Sequence, residues 1–345
     1  MESITFIGMN KSALLIFLAL ALLSCSKEAK EKEMPLKIVF GSCSDQNQPE
    51  ALWQEMANQK AQYALLLGDN VYADEMSLPE LEAAYKMQKD MSGFQQLSKV
   101  SRIYGIWDDH DYGANDAGKY HRGKDSAQIA FLNFFNFDQN DPLRSQEGVN
   151  QSYNLQNADK TIKLILLDTR YFRDTLLADT VTNARYLPNT EGDILGENQW
   201  KWLEKELRQS NAQMHIIASS IQVVSWEHPF EKWSNFPKAR KRLFDLIQTT
   251  KPSNAIFLSG DRHISEISGL TLPDYPTTLY DLTCSGLTHT WSEVWEESNQ
   301  HRTGELIIKR NYGLLIIDWE KDKPSVTVRF KGHADSTFLT RRLEL

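Results

Sequence analysis

The chain alternates short unbroken apolar runs with longer stretches in which apolar residues recur every three or four positions. An unbroken run suits a strand buried on both faces, and three-four spacing suits an amphipathic helix. On this reading strands fall at 36–40, 63–67 and 102–106. One helix is expected at 49–59, opened by Pro49, with Leu52 and Met56 on one face. Another is expected at 78–91, where Leu81, Ala84, Tyr85 and Gln88 align. An aromatic-rich helix is predicted over 123–137, then a hairpin of 151–155 and 161–167 turning at Asn157-Ala158-Asp159. A helix at 198–209 carries Trp202 and Leu203 on its apolar face. It is followed by a strand at 215–219, a helix at 238–249 and a strand at 255–258. From Ile264 the pattern changes to strands alone, at 264–270, 279–283, 306–309, 314–318 and 326–330.

Strands that alternate with helices imply parallel pairing through helical crossovers. A closing run of strands implies an antiparallel continuation. Together they predict an α/β fold of two stacked mixed sheets with helices outside, a four-layer αββα sandwich. No linker interrupts residues 36–345, which read as one domain.

The N-terminus departs from this pattern. Lys11 precedes an apolar run, 13–23, that is too short to span a bilayer as a mature helix. The run closes in Leu22-Leu23-Ser24-Cys25, which looks like a bacterial lipobox, with cleavage before Cys25 and lipid attachment to it. An ordinary signal peptide cut nearby is the alternative. Residues 1–24 therefore read as a signal segment, and 25–35, with its SKEAKEKE stretch, as a solvated polar tether. An extracytoplasmic lipoprotein, in the periplasm or at the cell surface, is expected.

Composition adds limits. The 345 residues are 41% hydrophobic and 24% charged, ordinary for a globular protein with a large core. The net charge of −8 is a poor match for broad binding to nucleic acid, so no nucleic-acid surface is expected. A monomer is expected.

The chemistry gathers at strand ends. Gly41-Ser42-Cys43-Ser44-Asp45, Gly68-Asp69-Asn70-Val71-Tyr72, Trp107-Asp108-Asp109-His110-Asp111 and Gly260-Asp261-Arg262-His263 each follow an apolar run. An Asp after Gly is often a turn former or helix cap, so one such segment alone says little. Four strands side by side, each ending in ligands, make a polydentate site. Asp69 is placed to bridge two cations. The Cys43 thiolate, Tyr72 phenolate and His263 imidazole favour a transition metal such as iron. Asp109 and Asp261 are hard oxygen ligands suited to calcium. A hydroxide held between two such cations can attack phosphorus in line while the metals neutralise charge on the phosphoryl and leaving oxygens. Cys43 and Cys284 are also the two cysteines left after Cys25, so a disulfide between them stands as the alternative to a Cys43 ligand.

These segments resemble the PhoD-like alkaline phosphatase and phosphodiesterase family, a branch of the calcineurin-like metallophosphatases. The similarity runs from Leu36 to Trp291, most specifically at 40–45, 67–74, 106–116, 167–170 and 258–266. The general metallophosphatase motifs Asp-x-His, Gly-Asp-x-x-Asp, Gly-Asn-His-Asp and Gly-His-x-His are replaced here by Gly41-Ser42-Cys43, Gly68-Asp69-Asn70-Val71-Tyr72, Asp108-Asp109-His110-Asp111 and Gly260-Asp261-Arg262-His263. Those replacements are what the PhoD-like branch looks like. The resemblance implies Fe(3+) with Ca(2+), other divalent metals being alternatives. It implies iron on Cys43, Asp69, Tyr72 and His263. It implies calcium on Asp69, Asp109 and Asp261, with Gln222 or a nearby carbonyl as a further oxygen ligand.

His110 matches the position that protonates the leaving group or steadies the transition state. A helix-cap or core histidine is its bland reading. Asp111 is expected to orient His110 or bind calcium. Arg170 suits a non-bridging phosphate oxygen, or else a salt bridge to Asp168 or Asp174. Asn70, Arg262 and His289 are candidates for substrate or metal contact, with Arg262 also suited to pairing with an acidic ligand. The stretches 226–236 and 288–295, with Trp226, Trp233, Trp291 and Trp295, read either as packing at the sheet edge or as a wall for an organic leaving group.

The resulting expectation is a phosphoric monoester or diester hydrolase acting on a small phosphate ester. A phospholipase-like diesterase acting on membrane lipid is the enzymatic alternative. A non-catalytic lipoprotein that binds metal or phosphorylated glycan is the alternative of another class.

Overall fold

Side-chain alternation along the central strands divides the molecule into layers. The computed structural model describes residues 1–3, 34–48, 51–182, 184–293, 297–321 and 323–345. The expected lipobox with Cys25, nearly all of the signal segment and tether, Pro49 and Trp295 lie outside the described residues.

From Pro35 to Leu345 the chain forms one unit. Its strands begin with β1 (Leu36–Gly41), β2 (Tyr63–Leu67), β3 (Arg102–Ile106), β4 (Gln151–Asn157) and β5 (Lys160–Leu166). They continue with β6 (Leu177–Ala178), β7 (Tyr186–Leu187), β8 (Met214–Ala218), β9 (Ala255–Ser259) and β10 (Ser265–Leu270). The last four are β11 (Leu279–Cys284), β12 (Tyr312–Glu320), β13 (Lys323–Lys331) and β14 (Thr337–Arg342). The helices are α1 (Trp53–Asn58), α2 (Leu78–Asp90), α3 (Ser92–Val100), α4 (Asp109–Tyr112), α5 (Lys124–Phe134), α6 (Gly196–Arg208) and α7 (Pro237–Thr250).

One sheet has the order β14-β13-β12-β1-β2-β3 and the other β10-β11-β9-β8-β5-β4. β1, β2 and β3 run parallel, and β12 to β14 extend that sheet antiparallel. In the second sheet β5, β8, β9 and β11 are parallel, with antiparallel β4 and β10 at the edges.

Because strand side chains alternate faces, Ile38 and Phe40 join Leu164, Leu166, Ile216 and Leu258 in a core between the sheets. Val39 and Leu66 point the other way, into a core shared with Trp53, Leu81 and Phe131 of the helices. Ile165, Ile217 and Phe257 do the same on the far side, against Trp200, Leu203 and Leu243. The layers are therefore helix, sheet, sheet, helix, as the hydrophobic pattern predicted.

Several boundaries differ from expectation. The first helix is shorter than 49–59, with Leu52 as its N-cap. On α2 the buried residues are Leu81, Ala84, Tyr85 and Gln88, the predicted face. Extended backbone at Met91 separates α2 from α3, a helix with no strong signal because only Phe94 and Leu97 are buried. On α6 the buried face is Trp200, Leu203 and Leu207, with Trp202 only packed against it. No strand forms at 306–309. Ile307 makes a lone bridge to Ser265, and the Ile308 carbonyl accepts from Thr290 Oγ1 instead of from a ladder. β14, which the pattern missed, is an edge strand with mostly exposed side chains.

Candidate metal centre

The loops after β1, β2 and β3 leave one edge of the first sheet because those strands are parallel. The loop after β9 meets them from the second sheet. Gly260 is the contact point: a Cβ there would lie 2.5 Å from Ser42 Oγ and 2.9 Å from the Leu67 carbonyl. Gly68 is equally constrained, with φ of +101° and space so tight that a Cβ would come within 2.4 Å of Asp108 Cβ. Four neighbouring residues adopt the left-handed region without being glycine: Cys43 (φ 62°), Asp69 (47°), Asp261 (67°) and His263 (53°). Each such conformation costs about 1–2 kcal/mol, and such residues concentrate at functional sites.

The structure brings the sequence-predicted ligands into two adjoining sets. Cys43 Sγ lies 3.3 Å from Asp69 Oδ2 and 2.9 Å from Ser285 Oγ. The Tyr72 hydroxyl is 3.4 Å from Asp69 Oδ2, 3.1 Å from His263 Nε2 and 3.2 Å from His289 Nε2. Ligand atoms of Cys43, Asp69 and His263 all fall within 4.8 Å of one another. So do those of Asp108, Asp109 and Asp261, and those of Asp69, Asp109 and His110. Asp69 belongs to the thiol side and to the carboxylate side at once. Cys43 and Cys284 are both free thiols, and Cys284 Sγ meets Asn311 Oδ1 at 3.2 Å.

Burial dominates the electrostatics. It pushes the Cys43 thiol up to about 11. Burial, together with Cys43 and Asp109, holds Asp69 well above the carboxylate range, and Asp261 behaves alike beside Asp108 and Asp109. Burial raises Asp108 to about 8 even though Arg170 opposes it. The Tyr72 phenol is also pushed up, by burial, Cys43 and Asp69. Burial, with His289 and His110 nearby, drops His263 to about 3. Among the carboxyls of the cluster Asp109 alone moves down, to about 2, because Arg170 and His110 outweigh its burial. A buried set of acidic donors that resists collective ionisation is what a cation relieves. One acceptor, Asp108 Oδ2, is buried with no hydrogen-bond partner among the described residues. The donor types fit the expected metals: thiol, phenol and imidazole on one side, carboxylates on the other.

His110 stacks on Tyr72 at 4.3 Å, and its Nδ1 meets Asp74 at 2.9 and 3.0 Å. Asp74 and Asp109 raise His110 to about 9 against the effect of burial. Asp111 does not orient His110. Its Oδ2 accepts from Asn70 Nδ2 at 2.6 Å and Tyr85 Oη at 3.1 Å, and its Oδ1 caps α4 through the Asp108 amide. Asn70 is thereby a loop-bracing residue, also donating to the Ile106 carbonyl.

Arg170 is placed differently from expectation. It is fully buried, and its guanidinium pairs with Asp108 and with Glu231 at 2.6 Å rather than with Asp168 or Asp174. Glu231 in turn forms an ion pair with Arg173 at 2.8 Å. Gln222 donates through Nε2 to Glu266 and Thr283, both at 2.7 Å, and its Oε1 is buried with no hydrogen-bond partner among the described residues. Arg262 pairs with Glu297 at 2.5 Å and lies 4.2 Å from the Phe230 ring. His289 meets Tyr72 and stands with its ring 4.3 Å from that of His263. Of the aromatic stretches, Trp233 is core, packed on Trp200, whereas Phe230 and Trp291 line the pocket over the cluster. Sequence reasoning passed over Asp74, Asp108, Asp116, Glu231 and Ser285. Asp108 sat inside a motif already singled out; Glu231 carried no local signal.

Two mixed sheets packed face to face between helices define a fold of the metallophosphatase type, and a thiol, a phenol, imidazoles and carboxylates gather where its strands end. The family pattern of the PhoD-like phosphatases matches residues 76–311, more than half of the chain. The chain therefore belongs to the PhoD-like phosphatase family. Alkaline phosphatase D of Bacillus subtilis (strain 168) is 22% identical over 277 residues, covering 68% of this chain and 47% of that protein. The chain thus spans about half the length of this curated relative. A solved structure of PhoD superposes with a TM-score of 0.72 at 16% identity, over 91% of this chain and 69% of that one. That likeness shows the fold.

Proposed function

We propose that this chain hydrolyses phosphoric esters at the centre formed by its four strand-end loops. The observation that carries the reading is Asp69, whose carboxylate gathers with Cys43 and His263 on one side and with Asp109 and His110 on the other. Cys43, Tyr72 and His263 with Asp69 would hold Fe(3+). Asp109 and Asp261 with Asp69, joined by Asp108, would hold Ca(2+). Bound there, the cations supply charge neutralisation at the phosphoryl oxygens and acidify water for in-line attack.

The chain's own residues contribute the rest. Asp74 fixes the His110 ring through Nδ1, which leaves Nε2 to give a proton to the leaving oxygen. Arg170 positions Asp108 and, at 3.9 Å, biases Asp109 toward its charged form. Trp291 and Phe230 wall the pocket and exclude water from one side.

Two donor sets of different softness around one carboxylate favour an enzyme over a metal-binding or glycan-binding lipoprotein, which has no need of both. The test is release of nitrophenol from p-nitrophenyl phosphate and bis-p-nitrophenyl phosphate by protein supplied with iron and calcium. Turnover of either supports the reading, and turnover of neither overturns it. A phosphatidylcholine vesicle in the same series tests the lipid diesterase reading. We further propose that residues 1–24 are removed and that Cys25 carries a lipid anchor, with 36–345 as the catalytic domain. This rests on Leu22-Leu23-Ser24-Cys25. Cys25→Ser should release the protein from membranes into the soluble fraction.

A further inference from the structure

The pocket over the centre is acidic, lined by Asp69, Asp109, Asp116, Glu231 and Asp261, and a phosphate ester must enter it as an anion. Bound cations would offset part of that charge, but a cation reachable from solvent is also needed to receive the substrate. The guanidinium groups near the centre are mostly committed. Arg170, Arg173 and Arg262 are buried, each paired with a glutamate. Arg185 differs. It lines the same pocket, and its side chain is 45% exposed.

Arg185 is held lightly, in a way that permits exchange. Its Nη2 lies 2.7 Å from Asp116 Oδ2 and its Nε donates to the Tyr186 hydroxyl at 3.1 Å. Its guanidinium stands 5.3 Å from the Tyr186 ring and 5.9 Å from the Phe230 ring, at the wall of the pocket. Departure of Arg185 does not strand Asp116, because that carboxylate also accepts from Tyr186 Oη and from Asn115 Nδ2 at 2.8 Å. The Asp116 amide separately donates to Asp109 Oδ2 at 2.6 Å. The link between the rim and the carboxylate side therefore runs through backbone and survives the exchange.

We propose that Arg185 is the substrate-specificity residue of this pocket: it leaves Asp116 to bind a non-bridging oxygen of the incoming phosphate, and it favours dianionic phosphomonoesters over monoanionic diesters. The inference deepens the hydrolase reading and rests on it for the reaction, though not for phosphate binding. A guanidinium fork matches two phosphate oxygens, and its attraction grows with the charge on them. A monoester offers three non-bridging oxygens and two negative charges, a diester two oxygens and one charge.

The test uses the full metal-loaded chain with Arg185→Ala and Arg185→Lys. Inorganic phosphate binding is measured by calorimetry, and kcat and KM are measured on p-nitrophenyl phosphate and bis-p-nitrophenyl phosphate. Arg185→Ala should weaken inorganic phosphate at least about tenfold and raise the monoester KM by a similar factor, with kcat within about twofold. The diester KM should rise less, and Arg185→Lys should recover part of both losses. Unchanged phosphate affinity and monoester KM in Arg185→Ala would overturn the proposal. So would a fall in kcat that accompanies loss of metal, since that would make Arg185 a brace for Asp116. Wild-type protein that binds phosphate through Arg185 but turns over no ester would refute the hydrolase reading and leave the binding role standing.

Discussion

The Tyr72 hydroxyl lies 3.1 Å from His263 Nε2, although 191 residues separate them. The loop after β2 and the loop after β9 come from different sheets, so this approach exists only when the sandwich is assembled. Both residues also reach Asp69 or its partner Cys43. The fold therefore builds the site by closing two sheets on each other, and left-handed backbone at Cys43, Asp69, Asp261 and His263 turns each side chain toward the shared centre.

Tyr72→Phe tests the metal on that side. A ferric ion bound by a phenolate should give purified protein a visible absorption band, and removal of the hydroxyl should abolish it. A colourless, active protein carrying zinc would refute the iron assignment. The ring should still stack on His110, so folding should change little.

Cys43→Ser tests whether the thiol is a ligand. The Cys43 thiol is buried and faces Asp69 and Ser285, and Cys284 is occupied elsewhere. Unreduced, denatured protein should titrate both Cys43 and Cys284 as free thiols. Cys43→Ser should lower bound iron at least about tenfold, the loss expected when a soft ligand is replaced by a poor one. Intact iron in this variant would remove Cys43 from the ligand set.

The four ligand loops were legible because each directly follows an unbroken apolar run, and the layering was legible because residues such as Ile38, Val39 and Phe40 must alternate between cores. What escaped the sequence was partner choice. Asp111 looks like the natural neighbour of His110, yet one turn of helix points it at Asn70 and Tyr85, while Asp74, on the preceding loop, takes His110. Arg170 looks open for phosphate, yet it is enclosed with Glu231, which lies 61 residues away. Such pairings are set by tertiary proximity, and nothing in local spacing encodes them. The strand expected at 306–309 failed for a similar reason: only Ile307 finds a ladder partner.

Asp74→Asn tests how His110 is held. If His110 gives the proton to the leaving oxygen, His110→Ala should lower kcat by about 10²- to 10³-fold. Asp74→Asn keeps the ring and weakens one charge-assisted hydrogen bond, worth about 1.5 kcal/mol, so kcat should fall about tenfold with KM nearly unchanged. Equal losses in the two variants would mean that Asp74 acts on substrate directly. No loss in His110→Ala would transfer the proton-donor role to another group.

His228 supplies a pH-dependent stability term away from the ligand set. Its ring is buried, neither ring nitrogen has a hydrogen-bond partner among the described residues, and burial with Arg262 and Lys232 nearby drives its pKa well below 6.5. The folded state thus keeps this imidazole neutral where the unfolded chain protonates it. Below about pH 6.5 the unfolded state binds the extra proton, so this contribution to stability declines as the pH falls. The decline reaches at most about 1.4 kcal/mol per pH unit until the folded pKa is passed. Above about pH 6.5 both states are neutral and the term is flat. Carboxyls with raised folded values, such as Asp69 and Asp261, give the opposite slope, so the comparison must be between wild type and His228→Leu. Urea unfolding at pH 5, 6 and 7 should show the variant gaining on the wild type as the pH drops, with the gap constant above pH 7. A gap that does not change with pH would mean that His228 is protonated in the folded protein and finds an acceptor there.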